Sequence, residues 1–254
     1  MTHTTLSCLW NDSAAVGELT YSIEHGAVGA TCNPVIALEV LRKEMHPWRG
    51  RIHELVREMP AATEVQIGWR VVEEMSIEGA QLLKPIFDPH KGRNGRLSIQ
   101  TDPHYYRDPQ AFLERAVYFS GPAPNMIVKI HVTRAGIDAI EEATFRGVSI
   151  NATVCFTLPQ SIAVAEAVER GLRRREKDGK DISTVGPVCT ITVGPLGDWL
   201  KAIAERENIT TDPGRWTGPA WLRSRRRIAS SASAATGSGC CRPPSGITCT
   251  GASS

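Results

Sequence analysis

The sequence predicts an α/β protein of the (β/α)8 barrel type, incomplete, with about six β/α units and an irregular C-terminal tail. Three observations carry this. Short apolar runs alternate with helical stretches through residues 6–206, the pattern of a mostly parallel sheet. Polar residues gather where those runs end: Asp12, Asn33, Gln100, Asp102, Lys129, Asn151, Thr153 and Thr190, the end that carries the active site in a barrel. The composition then shifts near residue 213, dividing the chain into a barrel portion, 1–213, and a Ser/Ala/Gly/Arg/Cys-rich tail, 214–254. An open doubly wound sheet fits the alternation too, but no Gly-rich phosphate loop follows the first strand.

Leu6 to Asn11 reads as the first strand, closed by Asp12. Ser13 is placed to cap a helix over Ala14–His25, which Gly26 stops. Val28–Cys32 is the second strand and Asn33-Pro34 its end. Helices follow to Met45, over Ile52–Met59 and over Glu64–Lys84. Arg96–Thr101 is the third strand, and Pro109–Phe119 its helix. The fourth strand is Asn125–Ile130, with a helix over Thr133–Arg146. Gly147–Phe156 is the fifth strand, and Thr157 with Gln160 forms a capping box for a helix to Arg170. Arg173–Ser183 reads as a charged loop, Val188–Val193 as the sixth strand and Asp198–Arg206 as a helix.

The fourth strand organises the chain. Alternation sets Met126, Val128 and Ile130 on one face, and Ile127 and Lys129 on the other. A lysine on a strand covered from both sides is costly unless it has a partner or a task. Desolvation makes its amine easier to deprotonate, and a neutral amine attacks carbonyls to form a Schiff base. The bland reading is a strand-end lysine whose ammonium snorkels to water. Asn151 and Thr153 share one face of the next strand by alternation, and Ile150, Ala152 and Val154 take the other, although a strand flanked by helices should be apolar on both. Taken singly, the other polar residues have dull readings. Asp12 suits a helix cap, Asn33-Pro34 a turn, and Thr157 with Gln160 a capping box.

Composition narrows the alternatives. An apolar fraction of 41% and a charged fraction of 22% are ordinary for a globular chain. A net charge of +2 gives no cause to invoke nucleic acid or a membrane surface. No apolar run is long enough to span a bilayer, and Met1–Thr5 lacks the basic and apolar regions of a signal peptide, so the expected location is cytoplasmic. Cys8, Cys32, Cys155 and Cys189 read as small buried hydrophobes. No CxxC pair or zinc spacing occurs, so neither metal nor cofactor is expected.

Five stretches together resemble the transaldolase family of Schiff-base enzymes: Trp10–Ser13, Gly29–Pro34, Leu97–Asp102, Ile127–Ile130 and Gly147–Gln160. The similarity runs in order over roughly residues 6–212. It implies that Lys129 is the Schiff-base lysine and Asp12 the acid/base acting on the sugar hydroxyl. Asn33 and Asn151 hold donor hydroxyls, as Thr190 does on strand six, and Thr153 orders the catalytic water. The implied reaction moves a dihydroxyacetone unit from a ketose phosphate (sedoheptulose 7-phosphate or fructose 6-phosphate) to an aldose phosphate, in the pentose phosphate pathway. Sugar phosphates are thus the expected partners, with a homodimer as an assembly. Two positions depart from the pattern. Gln100 stands where a water-relaying glutamate is expected, and Pro195 where a phosphate-binding arginine is. A Schiff-base aldolase that stops at cleavage, and a non-catalytic remnant, are the alternatives.

The tail reads either as a basic linker or as the product of a shifted reading frame. With ordinary codons read one base earlier, Arg223–Ile228 yields Ala-Val-Lys-Lys-Ala-Tyr-Arg, an amphipathic helix. Gly237–Ser254 yields a run containing Phe-Arg, which resembles the family's seventh strand. On that reading strands seven and eight are absent and the tail carries little regular structure.

Overall fold

A computed structural model of the chain describes residues 8–90, 92–192, 194–210 and 248–252. Strand β1 (Leu9–Asn11) leads through helix α1 (Val16–Glu24) to β2 (Ala27–Cys32). Three helices follow: α2 (Pro34–Lys43), α3 (Met45–Glu58) and α4 (Glu64–Phe87). Then β3 (Arg96–Gln100), α5 (Pro109–Ser120), β4 (Met126–His131), α6 (Arg134–Arg146), β5 (Ile150–Cys155), α7 (Leu158–Lys177), β6 (Val188–Thr192) and α8 (Gly194–Arg206) alternate. Side chains set most helix starts. Asn33 Oδ1 accepts from Ile36 N, Asp108 caps α5, Thr133 caps α6, and Thr157 with Gln160 closes the expected capping box on α7. Thr63 and Gln66 form a second box on α4. Ser13 does not cap α1, although its hydroxyl accepts from Ala15 N.

All pairings are parallel, and the strands run in chain order from β1 to β6. Register divides the sheet into two faces. The outer face carries Ala30, Cys32, Leu97, Ile99, Val128, Ile130, Ile150 and Ala152, all buried in the core beneath the helices. Each large aliphatic side chain there contributes about 1.5–3 kcal/mol. The inner face carries Thr31, Arg96, Ser98, Gln100, Lys129, His131, Asn151 and Thr153.

This inner face is concave. Asn151 Nδ2 on β5 donates to Ser98 Oγ on β3 at 3.0 Å, across the intervening β4. Strands two apart lie roughly 9.6 Å from one another, so such a bond needs the side chains to converge inside a curved sheet. Arg96 makes the same crossing nearer the N-terminal ends. Its guanidinium donates to Ser149 Oγ (2.8 Å), Thr184 O (2.8 Å) and Gly92 O (2.6 Å). Six parallel strands with their helices therefore form a half-barrel, the incomplete barrel expected.

Four details differ from the sequence reading. Helix α7 continues through Arg173–Lys177, where a loop was expected. Arg170 and Arg174 pair with Glu141, and Arg174 also with Glu142, on α6, so tertiary ion pairs extend the helix. Val154 is not on the outer face. Three residues of β5 oppose two of β6, and Val154 takes the strained φ of 59° at this bulge, half exposed. Cys8 is exposed, while Cys32, Cys155 and Cys189 are buried. Finally, β7 (Thr248–Ala252), in the tail, pairs with β6 in parallel. An open edge templates a further strand, and the β-branched Thr248 and Thr250 suit one. The other tail residues of the frame-shift reading lie outside the described residues.

Candidate active site

Lys129 is built in from three directions. Asn125 fixes the start of β4 by donating to Ala80 O (2.7 Å) and Gly95 O (2.8 Å). The Lys129 carbonyl accepts from Thr101 Oγ1 at 2.7 Å, which locks the peptide. Register then sets Gln100 on one side of Lys129 and Asn151 on the other. The lysine is 8% exposed, and among the described residues no hydrogen bond or ion pair holds its ammonium. Burial pushes its pKa below the usual lysine range, while the Asp12 charge and the Cys32 thiol pull weakly the other way.

The remaining residues surround it. Asn151 is 2% exposed and engaged on both sides: Nδ2 donates one of its two hydrogens to Ser98, and Oδ1 accepts from Thr190 Oγ1 at 2.8 Å. Thr153 sits one pleat further along β5, opposite His131. Asp12 is exposed at the end of β1, and its Oδ1 accepts from Thr31 Oγ1 at 2.7 Å, so the carboxylate leans toward the inner face. Its helix-cap reading fails, because Ala15 is the N-cap of α1 and no side chain caps that helix. Gly29 makes room for this end of the sheet: a Cβ there would meet the Trp10 indole at 2.6 Å. Asn33 spends Oδ1 as a helix cap, which leaves its Nδ2 hydrogens for a ligand. Asp102 turns away from Lys129 to cap a short 3-10 turn, accepting from His104 N at 2.9 Å and from the His104 ring. Pro195 has its side chain outside the described residues.

Three inner-face residues escaped the sequence reading. Ser98 and Arg96 were legible from the alternation Arg96, Ser98, Gln100 against Leu97 and Ile99. His131 follows Lys129 by two residues on the same strand, and its Nε2 lies 2.9 Å from Gln100 Nε2. Arg96 is 4% exposed, and burial lowers its pKa to about 10, so it stays charged at neutral pH. It closes the floor of the inner face. Among the described residues, no group of three or more His, Cys, Asp or Glu side chains is arranged to hold a metal ion. No helix among them is long and apolar enough to cross a membrane.

Fold and site together define an α/β protein whose parallel half-barrel gathers a buried lysine and its polar neighbours at the C-terminal strand ends. The chain belongs to the Transaldolase/Fructose-6-phosphate aldolase family, whose profile matches residues 9–218. A transaldolase of Thermobifida fusca is 30% identical over 173 residues, 67% of this chain and 46% of that protein. A transaldolase of Kocuria rhizophila is 30% identical over 171 residues, 65% of this chain and 45% of its own length. One of Mycolicibacterium smegmatis is 28% identical over 205 residues, covering 79% and 54%. The chain thus spans about half the length of the relatives it matches.

Proposed function

We propose that this protein carries out transaldolase-type chemistry, with Lys129 as the amine that condenses with a ketose phosphate. The observation that carries it is the buried lysine between Gln100 and Asn151, whose ammonium has no hydrogen-bond or ion-pair partner among the described residues. A pKa lowered by burial supplies more neutral amine at neutral pH, and the iminium formed with the sugar is an electron sink. Asp12 takes the proton from the C4 hydroxyl as the C3–C4 bond breaks, and the bonding pair enters the iminium to give an enamine. The enamine attacks an aldose phosphate, and water releases the product from Lys129. General acid/base help at each proton transfer is worth on the order of a hundredfold or more. Asn33, Asn151 and Thr190 hold donor hydroxyls, and Thr153 orders the water. The substrates are sedoheptulose 7-phosphate or fructose 6-phosphate, the setting is the pentose phosphate pathway in the cytoplasm, and the chain assembles as a homodimer. With Pro195 in place of an arginine, phosphate is held by fewer charges.

Incubation of the full chain with fructose 6-phosphate and borohydride tests this. A reduced three-carbon adduct is expected on Lys129, read by peptide mass spectrometry. An adduct on another lysine, or none on a folded sample, removes the assignment. The matched family also contains fructose-6-phosphate aldolases, which favours a second reading in which cleavage stops at free dihydroxyacetone. Supplying erythrose 4-phosphate separates the two: a transferase makes a seven-carbon sugar, an aldolase does not.

A further inference from the structure

The Gln100–His131 contact belongs to no step described above. His131 is 7% exposed, at the C-terminal end of β4, with its ring against Phe112 of α5 (centroids 5.7 Å apart). Its Nε2 lies 2.9 Å from Gln100 Nε2, and its Nδ1 is buried with no partner. A hydrogen bond needs one donor and one acceptor. With a neutral imidazole bare at Nε2, the Gln100 amide N–H donates into it, which leaves Oε1 free on the residue that register sets beside Lys129. With an imidazolium, both ring nitrogens are donors, so the amide must turn over and offer Oε1 to His131. Its NH2 group then faces Lys129.

We infer that His131 is a positioning residue whose protonation state sets which end of the Gln100 amide faces Lys129. The inference rests on the Schiff-base reading of Lys129. Water attacking the iminium carbon forms a C–O bond, returns the C=N electron pair to nitrogen and develops positive charge on its own oxygen. An acceptor such as Gln100 Oε1 stabilises that water, whereas an NH2 group repels its protons. The site therefore works with His131 neutral and loses the acceptor when His131 is protonated. The charged groups facing His131 are Lys129 on its own strand and Asp102 beyond β3, the latter engaged with His104. Phe112 from α5 and Thr153 from β5 complete the surroundings without charge. Burial first, then Lys129, lowers the His131 pKa below the usual 6.5, and Asp102 opposes them weakly. The imidazole is thus neutral at pH 7.

Water leaving the carbinolamine as the Schiff base forms passes through the same transition state in reverse, so the rate of adduct formation with fructose 6-phosphate and cyanoborohydride, measured from about pH 5 to about pH 9, tests this. Wild type should fall on the acid side more steeply than ionisation of Lys129 alone requires. His131→Asn offers an Oδ1 acceptor but does not titrate. It should keep the rate near pH 8 within about threefold and lose the extra steepness. His131→Leu removes the acceptor and should slow the reaction about tenfold at every pH, one hydrogen bond's worth. Gln100→Leu, with the histidine intact, should also lose the extra steepness, so the test survives a variant that does not fold. Retention of that steepness in His131→Asn or Gln100→Leu overturns the inference while leaving the Lys129 reading intact. A wild-type protein with no adduct at Lys129 overturns both.

Discussion

Lys129→Met separates a lysine kept for chemistry from one kept for structure. Methionine nearly matches the length of the lysine stem and removes only the charged head, so packing between Ile127 and His131 is preserved. In wild type Lys129 is 8% exposed as a residue, and its ammonium has no hydrogen-bond or ion-pair partner among the described residues. Exchanging buried ionic groups for apolar ones of similar volume is often neutral or stabilising by about 1–4 kcal/mol. A gain of about 2 kcal/mol raises Tm by about 4–8 °C at this chain size. The sign with pH follows from the lowered pKa. Between the folded-state pKa and the ordinary lysine value, the unfolded chain binds more protons than the folded one, so stability rises with pH there. The Lys129 penalty is full below the folded-state pKa and fades above it. Urea titrations of both proteins from about pH 7 to about pH 10 should therefore show Lys129→Met ahead at neutral pH, with the gap closing as pH rises. Loss of 1 kcal/mol or more at neutral pH, with a gap that does not move with pH, would refute the reasoning and make Lys129 a satisfied structural cation.

The remaining predictions concern the floor of the sheet and the tail. Arg96→Met should lower stability by about 2–4 kcal/mol in the same titration, because it strips the donor from buried acceptors at Gly92 and Ser149 and from the Thr184 carbonyl. The opposite signs expected at Arg96 and Lys129, two buried cations on one face, separate a partnered charge from an unpartnered one. We also propose that residues 214–254 come from a shifted reading frame. Resequencing the coding DNA across the codons for residues 212–216 should find a one-base difference, and restoring the frame should raise Tm; an unchanged sequence there removes the proposal.

Much of the site was legible because it depends on one strand at a time. The two-residue period of a strand placed Lys129 opposite Val128 and Ile130, and put Asn151 and Thr153 on one face. Proline, glycine and capping residues punctuated the chain closely enough to place β3, α5, β4 and α6 within about two residues. The end of β5 was misread, since a bulge adds a residue without breaking the apolar pattern, and Val154 left the face that alternation assigned to it.

What the chain alone determined, then, was that Lys129 stands on one strand without an apolar excuse and that Asn151 and Thr153 share a face of the next. Tertiary structure decided what those residues do to one another. Asn151 reaching Ser98 across β4, Arg96 reaching Ser149 and Thr184, and His131 reaching Gln100 all join positions at least 31 apart in sequence. Their meeting depends on strand register and sheet curvature, which no local pattern encodes. The same holds for β7, which forms against the open edge of β6, and for the last turn of α7, drawn out by glutamates on α6. Local periodicity assigns a side chain to a face; only the assembled sheet, by setting distances between strands, decides whether a buried charge finds a partner.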